Sequence, residues 1–159
     1  MKPIVRNSLL MTGAVIAAFF IFARPSVSNG DQESLVIETK AGEQHEFSIE
    51  IADTPSEQEK GLMFRTSMAP DHGMLFEFPT IAPISFWMKD TLIPLDIIFI
   101  EADGKIVKVH ANATPKSLAQ IASDAPVRAV LELNGGRAAE LGIGPGGMVR
   151  HRYFKPNMP

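Results

Sequence analysis

The chain has 159 residues, a formal net charge of −3, and 45 % hydrophobic against 21 % charged residues. That length suits one domain of the usual ~100–200 residues with a short appendage, and the balance excludes a disordered, collagen-like or polytopic membrane chain. Zero cysteines exclude disulfide staples, a thiol nucleophile, cysteine-ligated zinc, iron–sulfur clusters and a lipid-modified cysteine, and the slight acidity argues against a general nucleic-acid binder.

Lys2 and Arg6 precede an uncharged stretch from Asn7 to Ala23, whose apolar body includes Leu9, Leu10, Val15, Ile16, Phe19 and Phe20. A basic start, an apolar run and a small-residue exit describe a secretory signal, with Ser26 and Ser28 at the −3 and −1 positions of a cut after Ser28. The rival reading is an uncleaved anchor, since the run lies near the lower edge of the ~17–25 residues that span a bilayer. Residues 1–28 are therefore expected to be a signal peptide or membrane anchor, followed by a linker over 29–33, a β-rich domain over 34–155 and a tail over 156–159. Either form of the segment predicts a periplasmic or extracellular domain, which touches membrane only through that segment if it is retained. Without residues 1–28 the chain keeps 12 basic and 18 acidic residues, a charge of −6, which repels nucleic acid and phospholipid head groups.

Beyond residue 33 the hydrophobic period is mostly two. Ser34–Thr39 alternates around Val36; His45, Phe47, Ile49 and Ile51 then share one face of a second strand. Thr54-Pro55-Ser56-Glu57 reads as a capping box with proline at the first helical position, and Gly61 as the stop of a short helix. Gly73–Phe78 alternates again, Pro79 and Pro83 bracket a loop, and Ile84–Met88 is a further strand. Leu95–Ile100 is a nearly continuous apolar run, the pattern of a strand buried on both faces. Asp103-Gly104 is a hairpin signal before a strand over Ile106–His110. Residues 112–126, bracketed by Pro115 and Pro126, read as a long binding or lid loop. Arg128–Leu133 forms a strand, Arg137–Leu141 a helical turn ended by Gly142, and Met148–Phe154 the last strand. About eight short strands with one or two small helices predict a mainly β domain, an antiparallel sandwich or barrel-like fold.

Familiar catalytic patterns are missing. No G-x-S-x-G elbow surrounds a serine, and His45, His72, His110 and His151 are spaced by 27, 38 and 41 residues with no zinc-binding pair. Gly142–Gly147 lacks the lysine and the following helix of a phosphate loop. Met63, Met68, Met74, Met88 and Met148 could suit Cu(I) beside His72, yet methionines on apolar strand faces are more simply core. No cofactor is implied.

The densest polar-aromatic stretch is Phe86-Trp87-Met88-Lys89-Asp90-Thr91-Leu92-Ile93-Pro94-Leu95-Asp96. Strand alternation sets Trp87 beside Lys89, an aromatic–cation pair suited to a polar ligand with an apolar face. Arg65, Trp87, Lys89, Asp90 and Thr91 are the candidate binding residues of a non-enzymatic module for a small molecule or an envelope protein. The alternative is a small envelope hydrolase or isomerase with Asp96 or Asp90 as general base and Arg65 or Lys89 steadying an anion. A purely structural reading also stands: Asp96 paired with Arg65 or Lys89, and Trp87 covering core.

Gly61-Leu62-Met63-Phe64-Arg65, Gly73-Met74-Leu75-Phe76-Glu77-Phe78, Phe86-Trp87-Met88-Lys89-Asp90-Thr91, Ile93-Pro94-Leu95-Asp96-Ile97-Ile98-Phe99 and Leu131-Glu132-Leu133-Asn134 together resemble the family called domain of unknown function 192. The resemblance runs from about Leu35 to Tyr153 and implies an exported or membrane-anchored prokaryotic domain with a β-rich fold and no established activity. Two positions depart from the family pattern: Asp90 stands where asparagine is usual, and Gly147 where aspartate is usual.

Overall fold

The computed structural model describes residues 33–154. The expected signal or anchor over 1–28 and the expected tail lie outside the described residues. Seven strands follow in order: β1 (Glu33–Glu38), β2 (Gln44–Ala52), β3 (His72–Phe86), β4 (Leu95–Ile100), β5 (Ile106–Ala113), β6 (Ile121–Asn134) and β7 (Met148–Arg150). Helix α1 (Pro55–Lys60) joins β2 to β3, and α2 (Arg137–Glu140) joins β6 to β7.

All seven strands belong to one sheet, in the order β5-β4-β6-β3-β2-β1-β7. Five pairings are antiparallel and β2–β3 is parallel. The sheet curls until its two edges meet. Lys105 bridges Met148, Val149 N–H donates to the Gly104 carbonyl at 2.7 Å, and Ile106 N–H donates to the Gly147 carbonyl at 2.9 Å. This is the barrel-like alternative of the sequence reading. Two stacked sheets are not formed, because the residues that would line a second layer lie on the other face of the same sheet.

Strand period assigns the two faces. Leu35, Ile37, Phe47, Ile49, Leu75, Ile98, Ile100, Leu131, Leu133 and Val149 form the core enclosed by the curl. Met74, Phe76, Ile97, Phe99 and Val130 point the other way, into a second core completed by Leu62 and Met88 from the loops. β4 is buried at all six positions because it serves both cores, which is why its sequence shows no alternation.

Three expectations are corrected. The chain does not break at Pro79–Pro83, since β3 continues through register shifts between Glu77 and Ala82 and between Pro83 and Ser85. At Pro83 the strand faces Pro126, so two residues without N–H groups oppose each other and no ladder donor is wasted. The long loop expected over 112–126 is mostly strand: Asn112 and Ala113 end β5 and Ile121 opens β6, leaving 114–120. The last strand stops at Arg150, and Phe154 turns back to be buried.

The parallel β2–β3 pair dictates where the site forms. Parallel neighbours need a crossover, and here it is α1 with the segment 61–71. The helix starts as the sequence specifies: Thr54 Oγ1 accepts from Glu57 N–H at 3.3 Å, and Glu57 Oε2 accepts from Thr54 N–H at 3.0 Å. Gly61 ends it with φ 45°.

The seam between the edges depends on Gly104. Its φ is 93°, and a Cβ there would meet the Val149 carbonyl oxygen at 2.3 Å. Gly104→Ala is expected to cost about 2–4 kcal/mol in urea unfolding, from lost seam bonds and left-handed strain. Gly42→Ala, at φ 88° in open space, should cost only the left-handed strain of about 1–2 kcal/mol. Equal losses in the two variants would remove the seam from the account.

Candidate ligand-binding site

Three loops cover the second core. They are residues 61–65 after α1, 87–92 after β3 and 114–120 before β6. Phe64 N–H donates to the Asp90 carbonyl at 2.9 Å, Lys116 N–H to the Thr91 carbonyl at 3.1 Å, and Met88 N–H to the Ser117 carbonyl at 2.9 Å. Each loop holds one non-glycine residue at positive φ: Phe64 at 63°, Asp90 at 54° and Lys116 at 62°. Such conformations cost energy and persist where the surroundings enforce them, often at functional sites.

The loops hold their anchors inside and large apolar groups outside. Met88 is fully buried and Thr91 nearly so, whereas Phe64 (67 %), Leu118 (67 %), Trp87 (48 %) and Leu92 (38 %) are exposed. The expected aromatic–cation pair is formed, with Lys89 Nζ 5.4 Å from the centre of the Trp87 ring. Its geometry differs from strand alternation, because β3 ends at Phe86 and a turn brings Lys89 back over the indole. The Thr91 hydroxyl donates to the Lys89 carbonyl at 3.3 Å, so this residue shapes the turn from within.

Arg65 belongs elsewhere than expected. It forms a two-pronged pair with Glu50, Nη1 to Oε1 at 2.6 Å and Nη2 to Oε2 at 2.9 Å, and His72 Nε2 joins Oε1 at 2.8 Å. The Arg65 guanidinium holds the Glu50 carboxyl below its usual range against the opposing effect of burial. Glu50 and Arg65 stand at a cleft of about 510 Å³ lined also by Ile51, Lys60, Gly61, Met63, Phe64 and Met74.

Asp96 pairs with neither Arg65 nor Lys89. It is fully buried; Oδ1 accepts from Asn112 N–H at 2.8 Å and Gly136 N–H at 2.9 Å, and Oδ2 from Ala138 N–H at 2.7 Å. With both oxygens committed and no path to solvent, it cannot serve as a general base. Asp90 is exposed, and no described residue donates to its carboxylate.

Sequence reasoning missed Glu132. It lies on β6 opposite Met74 of β3 and Ile97 of β4, on the face of the second core, and is 4 % exposed. Among the described residues nothing bonds to its carboxyl, and burial pushes it up to about 8. Oε2 lies 4.0 Å from where a Gly61 side chain would begin, so one glycine separates it from the cleft. The sequence signal was a carboxylate inside the apolar run Ala129–Leu133.

The fold is that of a mainly β domain built on one curled sheet with two short helices. Within that class, the chain belongs to the family DUF192, described as uncharacterized ACR, whose profile matches residues 36–151. It is similar to two solved structures, both with a TM-score of 0.74. One, from Sinorhizobium meliloti 1021 and described as a candidate transcription regulator, is 47 % identical over 76 % of this chain and 93 % of its own. The other, a protein of unknown function from Novosphingobium aromaticivorans DSM 12444, is 41 % identical over 79 % of this chain and 89 % of its own. No curated protein matches the chain.

Asp96→Ala is expected to destabilise by about 3 kcal/mol in urea unfolding, since it strands one buried and two part-buried N–H groups. Glu132 should act in the opposite sense. Its proton is held more tightly in the folded chain than at the ordinary value of 4.5, so the stability it contributes is full below about pH 4.5 and declines as pH rises towards 8. Glu132→Gln should lose this decline, so that its unfolding free energy, relative to the parent, rises between pH 5 and 8.5. A parallel pH dependence in the two proteins would show that Glu132 ionises freely.

Proposed function

We propose that the domain is a non-enzymatic binding module, held outside the cytoplasm by the segment 1–28 as signal or anchor. Its recognition surface is the three-loop cluster with Phe64, Trp87, Lys89 and Leu118, continued by the cleft at Arg65. Asp90 and Thr91 set the turn that presents Trp87. The observation that carries this reading is the convergence of three loops, two of them bonded to the central 87–92 loop and each with a left-handed residue, that leave large apolar side chains in solvent. Exposed apolar groups bound to a rigid frame are what a binding site needs.

The charge at the rim indicates the ligand. Glu50 is committed to Arg65 and His72, and Glu57 to the start of α1, whereas Lys60 and Lys89 have no carboxylate partner among the described residues. A cleft of this volume suits a small molecule. The fitting ligand has an apolar body and an acidic group. The description of the Sinorhizobium relative would point to nucleic acid, but a chain with 15 basic and 18 acidic residues lacks the basic footprint.

Trp87 is the single tryptophan of the sequence, so its fluorescence reports on the loop directly. Titration with 4-phenylbutyrate is expected to change the emission saturably, and the neutral 4-phenylbutyramide to bind about two- to fivefold more weakly, the value of one exposed charge pair. By calorimetry, Lys89→Gln should narrow that gap. Trp87→Ala should abolish binding while costing less than about 1.5 kcal/mol in stability, as suits a half-exposed ring. Unfolding of Trp87→Ala, or a flat titration, would overturn the reading.

A further inference from the structure

We infer that the cleft continues past Gly61 to Glu132, and that this carboxyl receives a primary amine carried by the ligand. The inference rests on reading the cleft as a ligand site and adds the chemistry of its inner end.

The geometry has three parts. First, Glu132 is more than nine-tenths buried and has no hydrogen-bond or charge partner among the described residues, although a buried carboxylate ordinarily has one. Second, it sits immediately behind the cleft floor: Met74 is its cross-strand neighbour and lines the cleft, and Gly61 lies between Oε2 and the open space. A Cβ at Gly61 would approach Phe76 Cζ at 3.1 Å and Oε2 at 4.0 Å, so the missing side chain keeps the wall thin at that point. Third, the surroundings are adaptable. Met63, Met68, Met74 and Met88 pack near Leu62 and Phe76, and methionine repacks around an inserted group more readily than branched residues do.

The missing partner is a cation. From β3 the groups facing this region are Met74, Phe76 and His72, from β4 Ile97, from β2 Glu50, and from the α1 segment Glu57, Lys60, Gly61 and Arg65. His72 and Arg65 are bound to Glu50, Glu57 caps α1, and Lys60 is exposed at the rim. None of them neutralises Glu132. An ammonium group with an apolar stem would supply the counter-charge, and the stem would lie against Met74 and Phe64. Together with an acidic group at Lys60 or Lys89, this describes a zwitterion whose charges are separated by an apolar body, the class of ω-amino acids and short apolar peptides.

Binding an ammonium to this site requires Glu132 to release its proton. The full chain is titrated with 2-phenylethylamine and with the neutral 2-phenylethanol between pH 6 and 9, read by calorimetry and by the methyl resonance of Met74. The amine, with a pKa near that of lysine at about 10, stays charged across most of this range. Its affinity is expected to rise about tenfold per pH unit from pH 6 and to level off above pH 8, once Glu132 is mostly ionised. The alcohol should bind weakly and without pH dependence. Glu132→Gln, which keeps the shape of the neutral acid, should remove the slope and weaken the amine at least tenfold at pH 8. The wild-type slope tests the idea without any variant, should Glu132→Gln fold poorly. Amine binding that is flat with pH, equal to that of the alcohol, or unchanged in Glu132→Gln overturns the inference. If the amine fails while 4-phenylbutyrate still moves Trp87, the inner site alone is wrong; if both fail, the cleft is not a ligand site.

Discussion

One buried carboxylate sets the geometry of the loop end of the sheet. Asp96 accepts three main-chain N–H groups, and two of them belong to residues in the left-handed region, Asn112 at φ 51° and Gly136 at φ 87°. An asparagine at positive φ is strained, and its N–H bond to a buried charged acceptor offsets that strain. The two turns also interlock. Gly135 N–H donates to the Pro94 carbonyl at 2.9 Å, and any Cβ at Gly135 would meet the Asn112 side chain at 2.8 Å. Asn112 is the penultimate residue of β5, so a buried carboxylate anchors the chain just before it enters the 114–120 loop. On the other side, Asn134 Nδ2 donates to the Met68 and Ala69 carbonyls and fixes the far end of the crossover to β6.

The second constraint is topological. A purely antiparallel meander would have connected its strands by short turns and left the outer face of β3, β6 and β4 to solvent. The single parallel pair forces a crossover, and its 61–71 segment packs Leu62 and Met68 into the core of Met74, Phe76 and Val130. A cover made of one short helix and three loops is less closely packed than a sheet or a long helix would be. A cleft between Lys60, Met63 and Met74 is the outcome. The enclosed core, by contrast, is dominated by branched aliphatic residues and sealed by the seam between β5 and β7. Branched aliphatic side chains fill one face of the sheet, and the methionines gather on the other.

Local chemistry was legible in the sequence wherever the interaction is local. The capping box at Thr54–Glu57, the Gly61 stop, the Asp103-Gly104 hairpin and the alternation of β2 are all decided within a few residues, and all formed. Features that depend on a partner strand were not legible. Pro79, Pro83 and Pro126 read as loop markers, because nothing in the local sequence says that Pro83 faces Pro126 across a shifted register. The aromatic–cation pair was foreseen from the right residues by a different geometry. Arg65 was expected near Asp96, but its partner Glu50 lies 15 positions upstream, on a strand whose parallel register with β3 no spacing rule reveals.

The sharpest contrast lies between two carboxylates that look alike in sequence. Asp96 opens an apolar run and Glu132 interrupts one, and on adjacent strands they occupy neighbouring rungs: Asp96 opposite Leu133, and Glu132 opposite Ile97. One rung reverses the face. Asp96 points towards the end of the enclosed core, where two turns bring free N–H groups to it; Glu132 points into the methionine-rich core beneath the loops, where every nearby cation is already engaged or exposed. The sequence offers Asp96, alongside Asp90, as a general base only in the alternative enzyme reading, because both follow the aromatic strand end. In three dimensions the satisfied carboxylate is the structural one, and the unsatisfied one lies against the cleft. A buried carboxyl without a partner lowers stability as it ionises towards pH 8, so under the ligand inference its place beside the cleft is explained by what enters there and not by what holds the fold together.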